Sequence, residues 1–325
     1  MNHPVKRIGV LTSGGDAPGM NAAIRAVVRG CLYRGIECVG IRRGYNGLIN
    51  GDILRMDAGT VTHIINRGGT ILYTARSDEF RTPEGQQRAA ATCKLLGLDG
   101  IVAIGGDGTF RGAEALAKTG VSVVGVPATI DNDIVCTDYT IGFDTASNTA
   151  VDAIDRLRDT MQSHERCSVV EVMGRNAGHL ALYVGLAVGA TAVLMPEMPM
   201  DFDRDVVEKI RRARLAGKTH FMIVVAEGAG SAMEIGDKIH QELGLDPRVT
   251  ILGHIQRGGT PTARDRVMAT RMGYTAVEVL LAGKTNRVVC SQHGSMVDVD
   301  IEEGLSMKKG LNQEQCDALA AMTGL

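Results

Sequence analysis

Two acidic loops in the first half of the chain carry residues that could do chemistry: Gly105-Gly106-Asp107-Gly108-Thr109 and Thr129-Ile130-Asp131-Asn132-Asp133. The first follows the apolar run Leu98–Ile104 and precedes Phe110–Ala117. This is the pattern of a turn from a buried strand into a helix N-terminus, where free backbone N–H groups favour phosphate. Its glycines let the backbone approach an anion where a side chain would collide. Asp107 adds a hard oxygen ligand, suited to a Mg²⁺ ion that keeps most of its waters. Taken alone, Gly-Gly-Asp-Gly is also good turn chemistry. A third loop opens the chain: the short apolar run Ile8–Leu11, the connection Thr12-Ser-Gly-Gly-Asp-Ala-Pro-Gly-Met20, and a helix over Asn21–Val28 that Asn21 is expected to cap. In a parallel sheet, loops of this kind emerge at the carboxyl ends of their strands, the edge where open α/β folds bind ligands.

A second group of polar residues follows the same grammar. Val170–Gly178 joins an apolar strand to a helix and presents Arg175, and Glu227 lies just past the run Phe221–Ala226. Further on, His254 and Arg257 stand three residues apart before a glycine pair, a plausible clamp for a phosphate dianion, although by itself such a pair also reads as a surface feature.

Elements of two alternating kinds must position these groups. Strand-like runs at Glu37–Ile41, Gly100–Ile104, Ser122–Val126, Ser168–Val172, Thr191–Met195 and Phe221–Ala226 are separated by amphipathic segments, among them Thr145 to about Ser163 and Phe202–Leu215. Continuously apolar strands are buried on both faces, which requires helices on each side and predicts doubly wound α/β domains with parallel sheets. With 325 residues and 44% hydrophobic content the chain is long enough for two domains. The absence of a Pro/Ser linker places their boundary at a crossover near Phe143–Thr145.

Composition excludes several classes. A net charge of −2 and 3% aromatic residues with no Trp supply neither the positive field nor the stacking platforms that nucleic acid requires. Seven scattered cysteines without CxxC spacing argue for reduced thiols, against metal and against a catalytic thiol. Met1–Arg7 carries no signal-peptide pattern, and the apolar stretch Leu180–Met195 is short for a bilayer span and broken by Gly185 and Gly189. The expectation is a cytoplasmic protein with no membrane segment and no nucleic-acid partner.

Thr12–Asn21, Gly105–Thr109, Pro127–Asp133, Met173-Gly-Arg175 and Gly253–Gly259 occur in the order found in bacterial-type ATP-dependent 6-phosphofructokinases, and the resemblance spans nearly the whole chain. It implies two Rossmann-like α/β/α domains: residues 1–144 plus about 259–305 for the nucleotide, and residues 145–258 plus about 306–325 for the sugar phosphate. It also implies transfer of the γ-phosphoryl of MgATP to the 1-hydroxyl of fructose 6-phosphate. In that pattern Asp131 is the base, helped in position by Thr129, and Thr129, Ile130 and Asp131 contact the substrate. Gly15, Arg76, Ser77, Gly106, Asp107, Gly108 and Thr109 bind the nucleotide, and Asp107 binds Mg²⁺. Arg76 and Arg175 neutralise charge as it develops. Met173, Gly174, Arg175 and Glu227 contact the sugar, and Arg166, Arg248, His254 and Arg257 surround its 6-phosphate. Arg166 and Arg248 are expected from a neighbouring subunit of a homotetramer.

Relatives that use pyrophosphate typically carry Asp and Lys where this chain has Gly108 and Ala128. A carboxylate at 108 would crowd and repel a nucleotide α-phosphate, so these residues favour ATP. Arg25, Arg29, Arg158, Lys218 and His220 match an effector pocket. Expected charged residues are replaced near Ala58, Thr191 and Ala216, which predicts blunted or altered allostery. Three competing readings are a pyrophosphate-dependent enzyme, a catalytically silent regulatory subunit, and a lipid or dinucleotide kinase sharing only the Gly-Gly-Asp-Gly loop. Asp107, Asp131, Arg76 and Arg175 weigh against the silent subunit; Arg175, His254 and Arg257 weigh against the third.

Overall fold

Strands form where runs of β-branched and apolar residues can be covered on both faces, and helices form where the apolar period lengthens to a single stripe. The computed structural model describes residues 5–164, 166–306 and 309–323. Along the chain run β1 (Arg7–Thr12), α1 (Met20–Tyr33), β2 (Glu37–Ile41), α2 (Gly44–Asn50), β3 (Ile53–Met56), α3 (Pro83–Leu95), β4 (Gly100–Gly105), α4 (Asp107–Ala117) and β5 (Val123–Pro127). Next come α5 (Phe143–His164), β6 (Cys167–Val172), α6 (His179–Ala187), β7 (Ala192–Leu194), α7 (Glu208–Leu215), β8 (Phe221–Ala226), α8 (Ala232–Leu243) and β9 (Arg248–Ile251). The remaining elements are α9 (Ala263–Leu281), β10 (Arg287–Gln292), β11 (Ser295–Asp300), α10 (Ile301–Leu305) and α11 (Gln313–Thr323).

The chain divides into two compact units. One comprises Met1–Thr129, Ile134–Asp144 and Arg257–Lys309; the other comprises Ile130–Asp133, Thr145–Gln256 and Gly310–Leu325.

The first unit is built on a sheet in the order β11-β10-β5-β4-β1-β2-β3. Strands β1, β2, β4, β5 and β10 pair in parallel, and β4 and β5 are buried at every residue. Packing is close where the sheet meets its helices: a Cβ on Gly125 would lie 2.6 Å from the Phe110 ring of α4. On the other side of that helix, the rings of Tyr45 and Phe80 stack with centroids 4.2 Å apart.

The second unit carries a parallel sheet in the order β7-β8-β6-β9. Strand β8 is fully buried, and Val206, Ile210, Ala213, Ile235 and Ile239 from the surrounding helical segments fill the core against it.

Fold class follows the sequence reading, with local corrections. Both ends of the first sheet are antiparallel, β2 with β3 and β10 with β11. Strands β3, β9 and β11 are partly exposed and carry polar residues, so no continuous apolar run announces them. The helix expected over Phe202–Leu215 opens with a π-helical turn, Asp203–Val207. There Asp201 Oδ1 accepts the Arg204 N–H and Asp205 Oδ2 accepts the Asp201 N–H, so carboxylates compete with the regular ladder.

Asn21 is not a cap. Helix α1 begins at Met20 after Gly19, whose φ of 107° suits glycine, and Asn21 is buried in its first turn. Its amide donates to the Arg67 and Gly68 carbonyls, and its Oδ1 accepts the Ile71 N–H at 2.8 Å. One side chain thus fastens the segment Arg67–Ile71 to the first helix. Asn21→Ala should destabilise the protein by about 2–4 kcal/mol, because three buried hydrogen bonds are lost and backbone groups are stranded. Urea denaturation checks this, and a loss under about 1 kcal/mol would contradict the assigned role.

Candidate active site

In the first unit, adjacency of β1, β4 and β5 brings three loop ends to one sheet edge. The strand order reverses between β1 and β4, the switch point at which such folds bind ligands. The loops are tied to each other. Ser13 donates its N–H to Ile104 O at 3.0 Å, Thr109 Oγ1 donates to Ser13 O at 3.0 Å, and the Ala128 N–H donates to Gly105 O at 2.9 Å. Tyr45, buried, donates its hydroxyl to Thr109 O at 2.6 Å and so holds the start of α4.

This packing explains the glycines individually. A Cβ on Gly105 would fall 2.2 Å from Thr109 Oγ1 and 2.4 Å from Ser13 O, so nothing larger fits between the two loops. A Cβ on Gly15 would meet Arg257 Nη1 at 2.2 Å. That guanidinium donates to Asp16 O at 3.3 Å and so lies on the backbone of the first loop. A Cβ on Gly108 would meet nothing within 4 Å. Protein packing therefore leaves this position open, beside the free N–H groups at the start of α4.

Asp107 occupies the first turn of α4, where the helix dipole favours a carboxylate. Arg111, one turn on, engages it at 2.9 Å, and that contact holds the Arg111 guanidinium above its ordinary pKa. A single carboxylate at an anion-binding helix end is a donor set that fits Mg²⁺, which takes one or two carboxylates with substrate phosphates. No cluster of three or more His, Cys, Asp or Glu able to hold a metal occurs among the described residues. Arg76 is exposed, and Ser77 Oγ accepts the Phe80 N–H at 3.2 Å.

Thr129 ends this unit's share. It lies 3.5 Å from a Cβ built on Gly106, and its carbonyl accepts the Thr140 hydroxyl at 2.7 Å. Behind it stands a buried anchor that sequence reasoning missed, Asp265. This carboxylate accepts the Tyr139 hydroxyl and the Gly142 N–H, the latter at 2.7 Å. Burial, reinforced by Asp265, drives the Tyr139 phenol well above its ordinary range, so it stays a donor. The cap spacing Thr262-x-x-Asp265 was the available signal.

The second unit holds Ile130–Asp133, with Asp131 buried and Asn132 at a φ of 50°. Its strand ends position the other polar groups. Arg175 has a φ of 58°, and its N–H donates to Glu227 Oε1 at 2.7 Å. A Cβ on Gly228 would approach Arg175 O to 2.3 Å, so the ends of β6 and β8 are packed backbone to backbone. The Met173 N–H donates to Oε1 of the fully buried Gln256 at 2.8 Å, which joins the Met173-Gly174-Arg175 turn to the 3₁₀ helix Gly253–Arg257 carrying His254. Gln256 lies inside the Gly253–Gly259 motif, where an uncharged side chain gives no signal of its own. Arg248 is exposed on β9 and pairs with Asp246 at 3.2 Å, and Arg166 is half-buried just before β6.

Of the residues expected in an effector pocket, Arg158, Lys218 and His220 line one cavity of about 120 Å³, together with Met161, Gly189, Thr191 and Met222. Thr191 Oγ1 is committed to the Met222 N–H at 3.2 Å, and Arg158 donates to Val188 O. Arg25 and Arg29 lie on α1 in the first unit, Ala58 is exposed there, and Ala216 follows α7 in the second.

Glycine-rich loops at the switch point of a largely parallel sheet, in a chain that carries a second parallel α/β unit, define a doubly wound α/β fold of the kind that binds ligands at that edge. The phosphofructokinase family model matches residues 7–280. An ATP-dependent 6-phosphofructokinase of Clostridium botulinum (strain Hall) is 55% identical over 313 residues, covering 96% of this chain and 98% of the relative. ATP-dependent 6-phosphofructokinase 1 of Clostridium perfringens (strain 13) is 56% identical over 309 residues, covering 95% and 97%. Among solved structures, Pichia pastoris phosphofructokinase in the T-state superposes with a TM-score of 0.89 at 34% identity, covering 99% of this chain; the chain spans 40% of that longer one. The chain belongs to the phosphofructokinase family.

Gly105 and Gly108 should respond oppositely to a methyl group. Gly105→Ala should cost more than about 2 kcal/mol through overpacking, whereas Gly108→Ala should be neutral or stabilise by up to about 1 kcal/mol through helix propensity. Denaturation curves of the two variants check this; equal effects would contradict the packing described.

Proposed function

We propose that the chain transfers the γ-phosphoryl group of ATP, with Mg²⁺, to the 1-hydroxyl of D-fructose 6-phosphate, giving fructose 1,6-bisphosphate and ADP. One observation supports the choice of donor: a Cβ built on Gly108 would meet no protein atom within 4 Å, in the first turn of α4, an end of a helix at which free N–H groups favour phosphate. The names of the two clostridial relatives support the same donor.

In this reading the first unit binds the nucleotide through Gly15, Arg76, Ser77 and Gly106–Thr109. Mg²⁺, when bound, neutralises charge on the phosphate oxygens, and Asp107 would hold it in exchange for Arg111. Asp131 takes the proton of the sugar hydroxyl, with Thr129 and Ile130 fixing its loop. Arg76 and Arg175 offset charge on the equatorial oxygens as the phosphoryl group passes across. Met173, Gly174 and Glu227 hold the sugar; Glu227 is already spent in part on the Arg175 backbone, so it sets both the arginine and the acceptor. Arg166, Arg248, His254 and Arg257 receive the 6-phosphate, with Arg166 and Arg248 supplied by a neighbouring subunit of a homotetramer.

The effector cavity keeps three cationic or basic groups, Arg158, Lys218 and His220. With Thr191 bonded to β8 and no charged residue at 58, 191 or 216, its response to anionic effectors is blunted or altered.

Asp131→Ala should lower kcat by about 10²–10⁴-fold while sugar-phosphate binding persists, as measured by steady-state kinetics and calorimetry; near-normal kcat would refute the assigned base. Gly108→Asp should fold normally and raise the KM for ATP by roughly tenfold, about 1.4 kcal/mol. Parallel assays with ATP and with pyrophosphate test the donor directly. Turnover by the unmodified protein with pyrophosphate alone would overturn it.

A further inference from the structure

Two thiols of the first unit, one of them three residues after Asp133 in the chain, are placed to react with each other. Cys136 follows Asp133 by three residues, and in the first unit its half-buried thiol interacts with that of Cys290, buried in β10. The two segments are already in register. Gln292 Nε2 donates to Cys136 O at 2.9 Å, the Ser291 N–H donates to Thr137 Oγ1 at 3.0 Å, and the Asp138 N–H donates to Ser291 O at 2.8 Å. His293 N–H closes the zipper on Asp138 Oδ2 at 2.7 Å. Lys309 Nζ donates to Thr137 O at 2.8 Å, which brings a positive charge to the same segment. A Cβ on Gly304 would come within 3.0 Å of Cys136 Sγ, so α10 packs against that sulfur.

We propose that Cys136 and Cys290 form a peroxide-responsive dithiol, which closes reversibly to a disulfide and restrains the segment that follows Asp131–Asp133. The chemistry suits the asymmetry of the pair. Hydrogen bonding from Cys290, helped by Lys309, pulls the Cys136 thiol below its ordinary pKa, while Cys136 itself and burial hold Cys290 protonated. Glu303 near Cys136, and Arg287 and Asp298 near Cys290, act more weakly.

In the first step the Cys136 thiolate attacks one oxygen of hydrogen peroxide. The O–O bond breaks, a sulfenic acid forms, and hydroxide leaves, taking up the proton that the thiol released. In the second step Cys290 sulfur attacks the Cys136 sulfur, the S–O bond breaks, and the Cys290 proton departs with the hydroxide as water. Two thiols and one peroxide thus give one disulfide and two waters, and a thiol reductant reverses the closure.

The test treats the full-length protein with hydrogen peroxide, maps it by mass spectrometry without reduction, and measures kcat before and after. The expected result is a cross-linked peptide pair containing Cys136 and Cys290, lighter by two hydrogen atoms and lost on adding dithiothreitol. Turnover should fall by roughly tenfold or more and recover with the reductant, because a displacement of about 1 Å at a reacting centre costs on the order of 10²-fold. Cys136→Ser should keep its activity before and after peroxide and form no cross-link. Should Cys290→Ser fold, its Cys136 should stop at a sulfenic acid that dimedone traps.

Accumulation of Cys136 sulfinic acid without the cross-link would overturn the pairing, and a cross-linked protein with unchanged kcat would overturn the restraint. The activity readout rests on the phosphotransferase reading, whereas the cross-link does not, so failure of one is distinguishable from failure of the other.

Discussion

Parallel pairing of β1 with β4, and of β4 with β5, is the constraint on which the rest depends. Parallel strands release their loops at the same edge, so three separate stretches of sequence converge without any one being long. The convergence leaves almost no room: Ser13 and Thr109 bond across the gap, and Gly105 lies where a methyl group would strike both. Glycine is therefore demanded at 105 by the neighbouring loop, while at 108 no protein atom demands it. A residue kept small without a packing reason is the form in which space for a ligand shows itself.

The second unit uses side chains to hold backbone in place. Arg175 adopts a left-handed conformation that a non-glycine residue takes only when its surroundings compensate, and the Glu227 carboxylate does so by accepting its N–H. Gln256 does the same for Met173 from a fully buried position. Glu227 and Gln256 thus hold backbone in place, and Arg175 remains exposed just past the end of β6. Asp265 plays the matching part in the first unit, where it gathers Tyr139 and Gly142 behind Thr129.

In the first unit, hydrogen bonds between residues 136–138 and 291–293 make an otherwise irregular segment behave as an extension of β10. Order of this kind is what allows a half-buried cysteine to meet a buried one in a fixed geometry. Cys316, also half-buried, lies on α11 at the other end of the chain, in the second unit.

Much of this was legible in the sequence. Most of the buried parallel strands announced themselves as unbroken apolar runs, β10 being an exception, and the glycine-rich turns between strand and helix marked loops that meet at one sheet edge. These features are local: period, residue type and spacing suffice because the physics acts within a few residues. The partly exposed strands β3, β9 and β11 left no such trace, since one face of each is wet and their partners lie far along the chain. Asn21 looked like a helix cap by type, yet the tertiary structure spends it on Arg67, Gly68 and Ile71, because burial requires every polar atom of a side chain to find a partner wherever the fold supplies one. The distinction between Gly105 and Gly108, the buried anchors Gln256 and Asp265, and the meeting of Cys136 with Cys290 were likewise decided only by tertiary structure, because each depends on atoms brought together from distant parts of the sequence.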